Sequence, residues 1–68
     1  MQWLNRLKIE LKELEEKKSK LKKFIEESEE FQNLDIFNKE LLIEQRYFME
    51  RYILVLKERI SINQKEKK

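Results

Sequence analysis

Not one residue of this 68-residue chain is glycine or proline. Those two residues are the strongest breakers of regular structure, so a chain without them has few means of ending a helix abruptly or turning sharply. Leu, Glu, Lys and Gln, all good helix formers, are abundant in what remains, and strands are disfavoured. The fold class this implies is all-α.

In the first half, Leu4, Leu7, Leu11, Leu14, Lys18, Leu21, Ile25 and Ser28 recur at alternating spacings of three and four, a heptad seam with two polar members. Trp3, Phe24 and Phe31 stand beside that seam at multiples of seven and widen its apolar face near both ends. The pattern predicts a first helix over about residues 2–28. From Ser28 to Asp35 the chain clusters Ser, Asn and Asp, whose side chains compete for backbone hydrogen bonds and favour caps and turns. The turn is placed at about 29–34, with room for one short helical turn containing Phe31. Asp35, with Asn33 as second choice, is the expected cap of a second helix over about 35–63, and the polar, cationic residues 64–68 are expected to fray. Residues 1–68 thus form a single domain, an antiparallel two-helix hairpin.

The second helix carries its own alternating seam, Leu42, Gln45, Met49, Tyr52, Leu56, Arg59 and Asn63. Leu41, Phe48, Val55 and Ile62 flank it at intervals of seven, and Ile53 with Ile60 flank the other side. One facing helix cannot cover so wide an apolar arc. Two helices of ~40 Å, at 1.5 Å per residue, have no third layer to exclude water from it. Chains this short are commonly held together by a disulfide, a metal or self-association, and without Cys or His the first two are closed. A homo-oligomer is expected, at its simplest a dimeric four-helix bundle. Its core and oligomer contacts would come from Leu7, Leu11, Leu14, Leu21, Leu42, Phe48, Met49, Ile53, Val55, Leu56 and Ile60.

The lack of His and Cys also removes the commonest general base, the thiol nucleophile and the usual transition-metal ligands. Ser19, Ser28 and Ser61 have no His to activate them, there is no Gly-rich phosphate loop, and no carboxylate pair stands apart from the general Glu background. No enzymatic activity, cofactor or metal is expected. Sixteen Lys+Arg against fourteen Asp+Glu leave +2, with eight basic and six acidic side chains in residues 1–28 and again in 35–68. Such even mixing disfavours a nucleic-acid partner. The longest uncharged stretch is five residues, as from Tyr52 to Leu56, far below the ~20 needed to span a bilayer. With residues 1–15 lacking an apolar signal core, a cytoplasmic location is expected.

A hairpin turning near residues 31–32 pairs positions whose numbers sum to about 63, which places Lys18 in one layer with Gln45. Two polar residues in a seam can fix register and oligomer state. They can also mark a ligand pocket. Gln45, Tyr52 and Arg59 share one heptad line, so an amide, an aromatic plate and a guanidinium lie in a row suited to a phosphorylated nucleotide: Arg for phosphate, Tyr for stacking, Gln for polar readout. The architectural alternative is a Tyr at a core edge and an Arg snorkelling at a helix end. Lys17, Lys18, Lys20, Lys22 and Lys23 spread round the first helix, and the pairs Glu13–Lys17 and Glu16–Lys20 favour a solvated face. Lys18, Arg46 and Trp3 are the further candidate ligand contacts, Trp3 equally suited to anchoring the core.

The pattern Phe24-Ile25, Ser28, Phe31, Leu34, Leu41-Leu42, Gln45, Met49, Tyr52, Val55-Leu56 and Arg59-Ile60 resembles a family of small phage proteins related to crAss-like-phage sequences. By analogy with phage anti-defence sponges that act against systems such as CBASS and Thoeris, the resemblance implies a protein that binds a nucleotide immune signal, a cyclic oligonucleotide or an ADP-ribose derivative, without cleaving it. It would work in the cytoplasm of an infected host cell, with ligand sites repeated at subunit interfaces. The competing expectation is a non-enzymatic adaptor or inhibitor that binds a host or phage protein through the apolar face of the second helix.

Overall fold

The computed structural model describes residues 2–65. Three helices follow one another: α1, Gln2–Glu27, α2, Glu29–Gln32, and α3, Ile36–Lys65. No strand occurs among the described residues, and α1 and α3 lie side by side in a hairpin of 52 × 15 × 15 Å. The second long helix therefore continues through Gln64 and Lys65, where fraying was expected; residues 66–68 of the expected tail lie outside the described residues.

The reversal is made without any positive φ among the described residues, so neither Asn33 nor Asp35 takes the left-handed conformation that glycine would adopt most easily. Ser28 interrupts α1 by taking an extended conformation, and its hydroxyl accepts the Glu30 N–H at 3.1 Å. It is thus the N-cap of α2. Asn33 closes that single turn, sharing its N–H between the carbonyls of Glu29 at 3.1 Å and Glu30 at 3.2 Å. Asp35 starts α3 as expected: Oδ1 accepts the Asn38 N–H at 2.8 Å and Oδ2 the Asn38 side-chain amide at 2.9 Å. Phe31 fills the inside of the turn, buried edge-on to Phe24 with centroids 6.0 Å apart and the Lys39 ammonium 5.9 Å from its own centroid.

The core sits toward the opposite end, where Leu4 and Leu7 of α1 meet Leu56 and Ile60 of α3 with Leu11 and Leu14 half-buried against them. The first helix uses the predicted seam. The second uses it in part: Leu42, Met49, Leu56 and Asn63 turn toward α1 as predicted, but Arg46, Ile53 and Ile60 join them in place of Gln45, Tyr52 and Arg59, which are exposed. Three members of the seam move by one residue, which turns its centre by about 50°. Ile53 and Ile60 can be buried at no polar cost, whereas burying the Tyr52 hydroxyl and the Arg59 charge would strip both of water. For the same reason the expected Lys18–Gln45 layer is not closed, because Lys18 is half-buried and Gln45 exposed.

One helix still cannot cover α3. Leu41, Phe48, Val55 and Ile62 are exposed along one side of it, and Ile36, Ile43 and Leu54 along another. Of the residues assigned to core or oligomer contacts, Leu7, Ile53, Leu56 and Ile60 are buried, Leu11, Leu14, Leu21, Leu42 and Met49 half-buried, and Phe48 and Val55 exposed.

Candidate functional site

Helix geometry places Gln45, Tyr52 and Arg59 in a line about 10.5 Å apart along one rim of the α1–α3 seam. Tyr52 is tied down at its hydroxyl, which donates to the Glu10 carboxylate of α1. That bond and its charge, with partial desolvation, raise the Tyr52 pKa above the ordinary 10.0, and the nearby Arg59 guanidinium works in the opposite direction. The same bond sets the register of the rim. Trp3, a heptad before Glu10, stands opposite Arg59, a heptad after Tyr52, and its indole remains 43% exposed.

Between Gln45 and Tyr52 the surface of α3 forms an open depression of about 460 Å³ lined by Leu41, Glu44, Gln45, Phe48, Met49 and Tyr52. Its floor is apolar, its edges carry an amide and a phenol, and its one charged residue is a carboxylate. Such a lining suits a flat or apolar group rather than an anion, since a phosphate needs a cation and none lines the depression. Arg59 makes no ion pair among the described residues, and its backbone carbonyl accepts the Asn63 amide at 2.7 Å, which leaves the guanidinium outside that contact.

The remaining candidates lie elsewhere. Arg46 occupies the seam and points to the other rim, its guanidinium 3.5 Å from Glu26 and 3.6 Å from Glu50. Glu26 belongs to the last turn of α1, where the helix dipole is negative and a carboxylate alone is unfavourable, so Arg46 is a structural counter-charge there. Lys57 and Glu15, 3.6 Å apart, continue that rim. Lys18 lies on the inward side of α1. The structure therefore groups Gln45, Tyr52, Arg59 and Trp3 along one rim and separates Arg46 and Lys18 from them. Leu41, Phe48 and Glu44 also line the depression, although the sequence assigns Phe48 to core or oligomer contacts and neither Leu41 nor Glu44 to the site; the spacing 41-45-48-52 puts Leu41, Gln45, Phe48 and Tyr52 on one helical face.

A family model described as Sequestin matches residues 1–62. The chain belongs to the Sequestin family. No curated protein and no solved structure matches it. The family match takes in α1, α2 and α3 as far as Ile62, and the family name suggests the sequestering of a molecule. Among the described residues of this Sequestin chain, no helix is long and apolar enough to cross a membrane.

Proposed function

We propose that this protein is a phage anti-defence sponge that binds a nucleotide immune signal, a cyclic oligonucleotide or an ADP-ribose derivative, and withholds it from its host effector without cleaving it. The observation that carries the reading is that Gln45, Tyr52 and Arg59 are kept out of the core and held in line along one rim, beside an apolar depression. Tyr52 supplies a plate fixed at its edge by Glu10, Gln45 a donor–acceptor pair, and Arg59 a bidentate phosphate fork. Membership of a family named for sequestering supports capture rather than turnover, and the action needs no catalytic group. The protein works as a homo-oligomer in the cytoplasm of the infected cell.

A thermal-shift panel of cyclic di- and trinucleotides and ADP-ribose derivatives tests this. A ligand at a hundred times its dissociation constant stabilises the folded state by ~2.7 kcal/mol. A shift for one class, with the nucleotide recovered intact on heating, is the expected result; a flat response across the panel would refute it.

One observation favours a second reading. Ile36, Ile43 and Leu54 form an exposed apolar strip on the side of α3 away from the Tyr52 rim. An adaptor or inhibitor that binds a host or phage protein would use such a strip, and Ile43→Glu would then abolish activity while leaving nucleotide binding unchanged.

A further inference from the structure

The outward row of α3 is symmetric about a point between Arg51 and Tyr52. Leu41 and Ile62 stand equally far from that point, as do Phe48 and Val55, and all four are exposed, between 48% and 63%. Glu44 and Arg59 are also equidistant from it and have opposite charge. A surface with this pattern is complementary to an antiparallel copy of itself.

We infer that two chains pair α3 against α3, antiparallel about the point between Arg51 and Tyr52, and that each nucleotide site lies at the edge of that interface, between Gln45 and Tyr52 on the rim of one chain's depression and Arg59 of the other chain, with Leu41 and Phe48 covered by the second copy. In this pairing Leu41 packs near Ile62 of the second copy and Phe48 near its Val55. Glu44 meets the second copy's Arg59, with Gln45 one residue along. Parallel pairing would instead set Glu44 beside Glu44 and Arg59 beside Arg59, so charge selects the antiparallel arrangement. The row with Tyr52 exposes on the order of 500 Å² of side chain, most of the roughly 800 Å² per chain in a standard interface, and flanking polar side chains supply the rest.

The pairing also supplies what one chain lacks. The depression holds a carboxylate and no cation, while a chain's own Arg59 lies two helical turns beyond Tyr52. The second copy's guanidinium arrives beside Glu44 and Gln45 with five N–H donors, enough to hold the carboxylate on one edge and a phosphate on another. A dimer then has two equal sites, each incomplete without both chains. The composite site rests on the nucleotide reading; the pairing does not.

Two experiments on the full chain separate them. The chain has no cysteine, so single introduced thiols report pairing without background. Chains carrying Gln45→Cys and Arg59→Cys, refolded together and oxidised, are expected to cross-link with each other in preference to themselves, while Tyr52→Cys cross-links alone. Equal self-cross-linking of Gln45→Cys and Arg59→Cys, or a monomer in sedimentation at the same concentration, overturns the pairing. All three positions are exposed, and circular dichroism checks that each variant is folded. For the site, Arg59→Ala and Gln45→Ala chains are titrated separately and mixed, using the panel nucleotide that the wild type binds. Neither variant should bind alone. The mixture should recover about a quarter of the wild-type capacity, because half the dimers are mixed and each has one intact site. No recovery overturns the composite site. Absence of any wild-type nucleotide binding overturns it together with the reading it rests on, while the cross-links still decide the pairing.

Discussion

Tyr52 of α3 donates its phenol proton to the carboxylate of Glu10 in α1, a contact that joins residues 42 positions apart in the chain. Because the Tyr52 pKa is raised above 10.0, the folded state holds that proton more tightly than the unfolded chain does. The resulting stabilisation is complete below the ordinary tyrosine range and is lost as pH rises through the raised value. Wild-type protein should therefore lose an increment of melting temperature in alkaline solution that Tyr52→Phe does not lose. Parallel melts of the two chains across that range check this, and identical pH profiles would remove the bond from the account.

Burial separates two neighbours in α3 that look alike in sequence. Leu56 is fully buried against Leu4 and Leu7, and Val55 is 52% exposed. Leu56→Ala should destabilise the hairpin by about 2–5 kcal/mol, a large part of what a domain of this size has. Val55→Ala should leave the hairpin itself within about 0.5 kcal/mol of wild type while weakening self-association. Denaturant melts at two protein concentrations distinguish the effects, since only an association defect depends on concentration.

The first helix and the turn were legible because their signals were unambiguous: one leucine seam, one cluster of Ser, Asn and Asp, and one Phe at the corner. The facing side of α3 was not, because apolar residues surround it. Leu42, Met49 and Leu56 fit a seam completed by Gln45, Tyr52 and Arg59 as well as one completed by Arg46, Ile53 and Ile60. Periodicity alone weighs both equally, and each would take in one arginine; the observed seam buries Ile53 and Ile60 in place of a phenol and an unpaired guanidinium, and its own arginine, Arg46, is compensated by Glu26 and Glu50. The same shift takes the polar line out of the layer that the sequence assigned to it. Gln45, Tyr52 and Arg59 lie on an exposed rim, not in a closed layer with Lys18. The depression lined by Leu41 and Phe48 became visible only when the rotation of α3 was known.

Asp35 offers a test at the acid end. Two hydrogen bonds from Asn38, backbone and then side chain, lower its pKa below the ordinary 3.8. A depressed carboxylate contributes stability that is present above its ordinary value and is lost as pH falls through the lowered one. Asp35→Asn keeps a capping oxygen but cannot ionise, so its helicity should be less sensitive to acid than that of wild type. Asp35→Ala should lower stability at neutral pH as well, by loss of the cap. Far-ultraviolet circular dichroism during acid titration of the three chains gives the comparison; indistinguishable curves would mean that the cap is not coupled to folding.

Arg59→Lys separates the nucleotide reading from the protein-docking one. Lysine keeps the positive charge and the helix but replaces a planar fork of five donors with a point charge, so bidentate contact with phosphate is lost. A charge-assisted hydrogen bond is worth about 1.5–3 kcal/mol, so the expected loss is about ten- to a hundredfold in Kd for the bound nucleotide. Melting of the nucleotide-free protein should change little, because Arg59 is exposed, makes no ion pair within its own chain among the described residues, and lysine keeps the charge that would face Glu44 of a second copy. If α3 instead docks a protein through its Ile36–Ile43–Leu54 strip, Arg59→Lys should be silent and Ile43→Glu should abolish the interaction. Calorimetric titration of both variants assigns α3 to one use or the other. Weakening by Ile43→Glu alone would identify the apolar strip, and not the Gln45–Tyr52–Arg59 line, as the surface that binds.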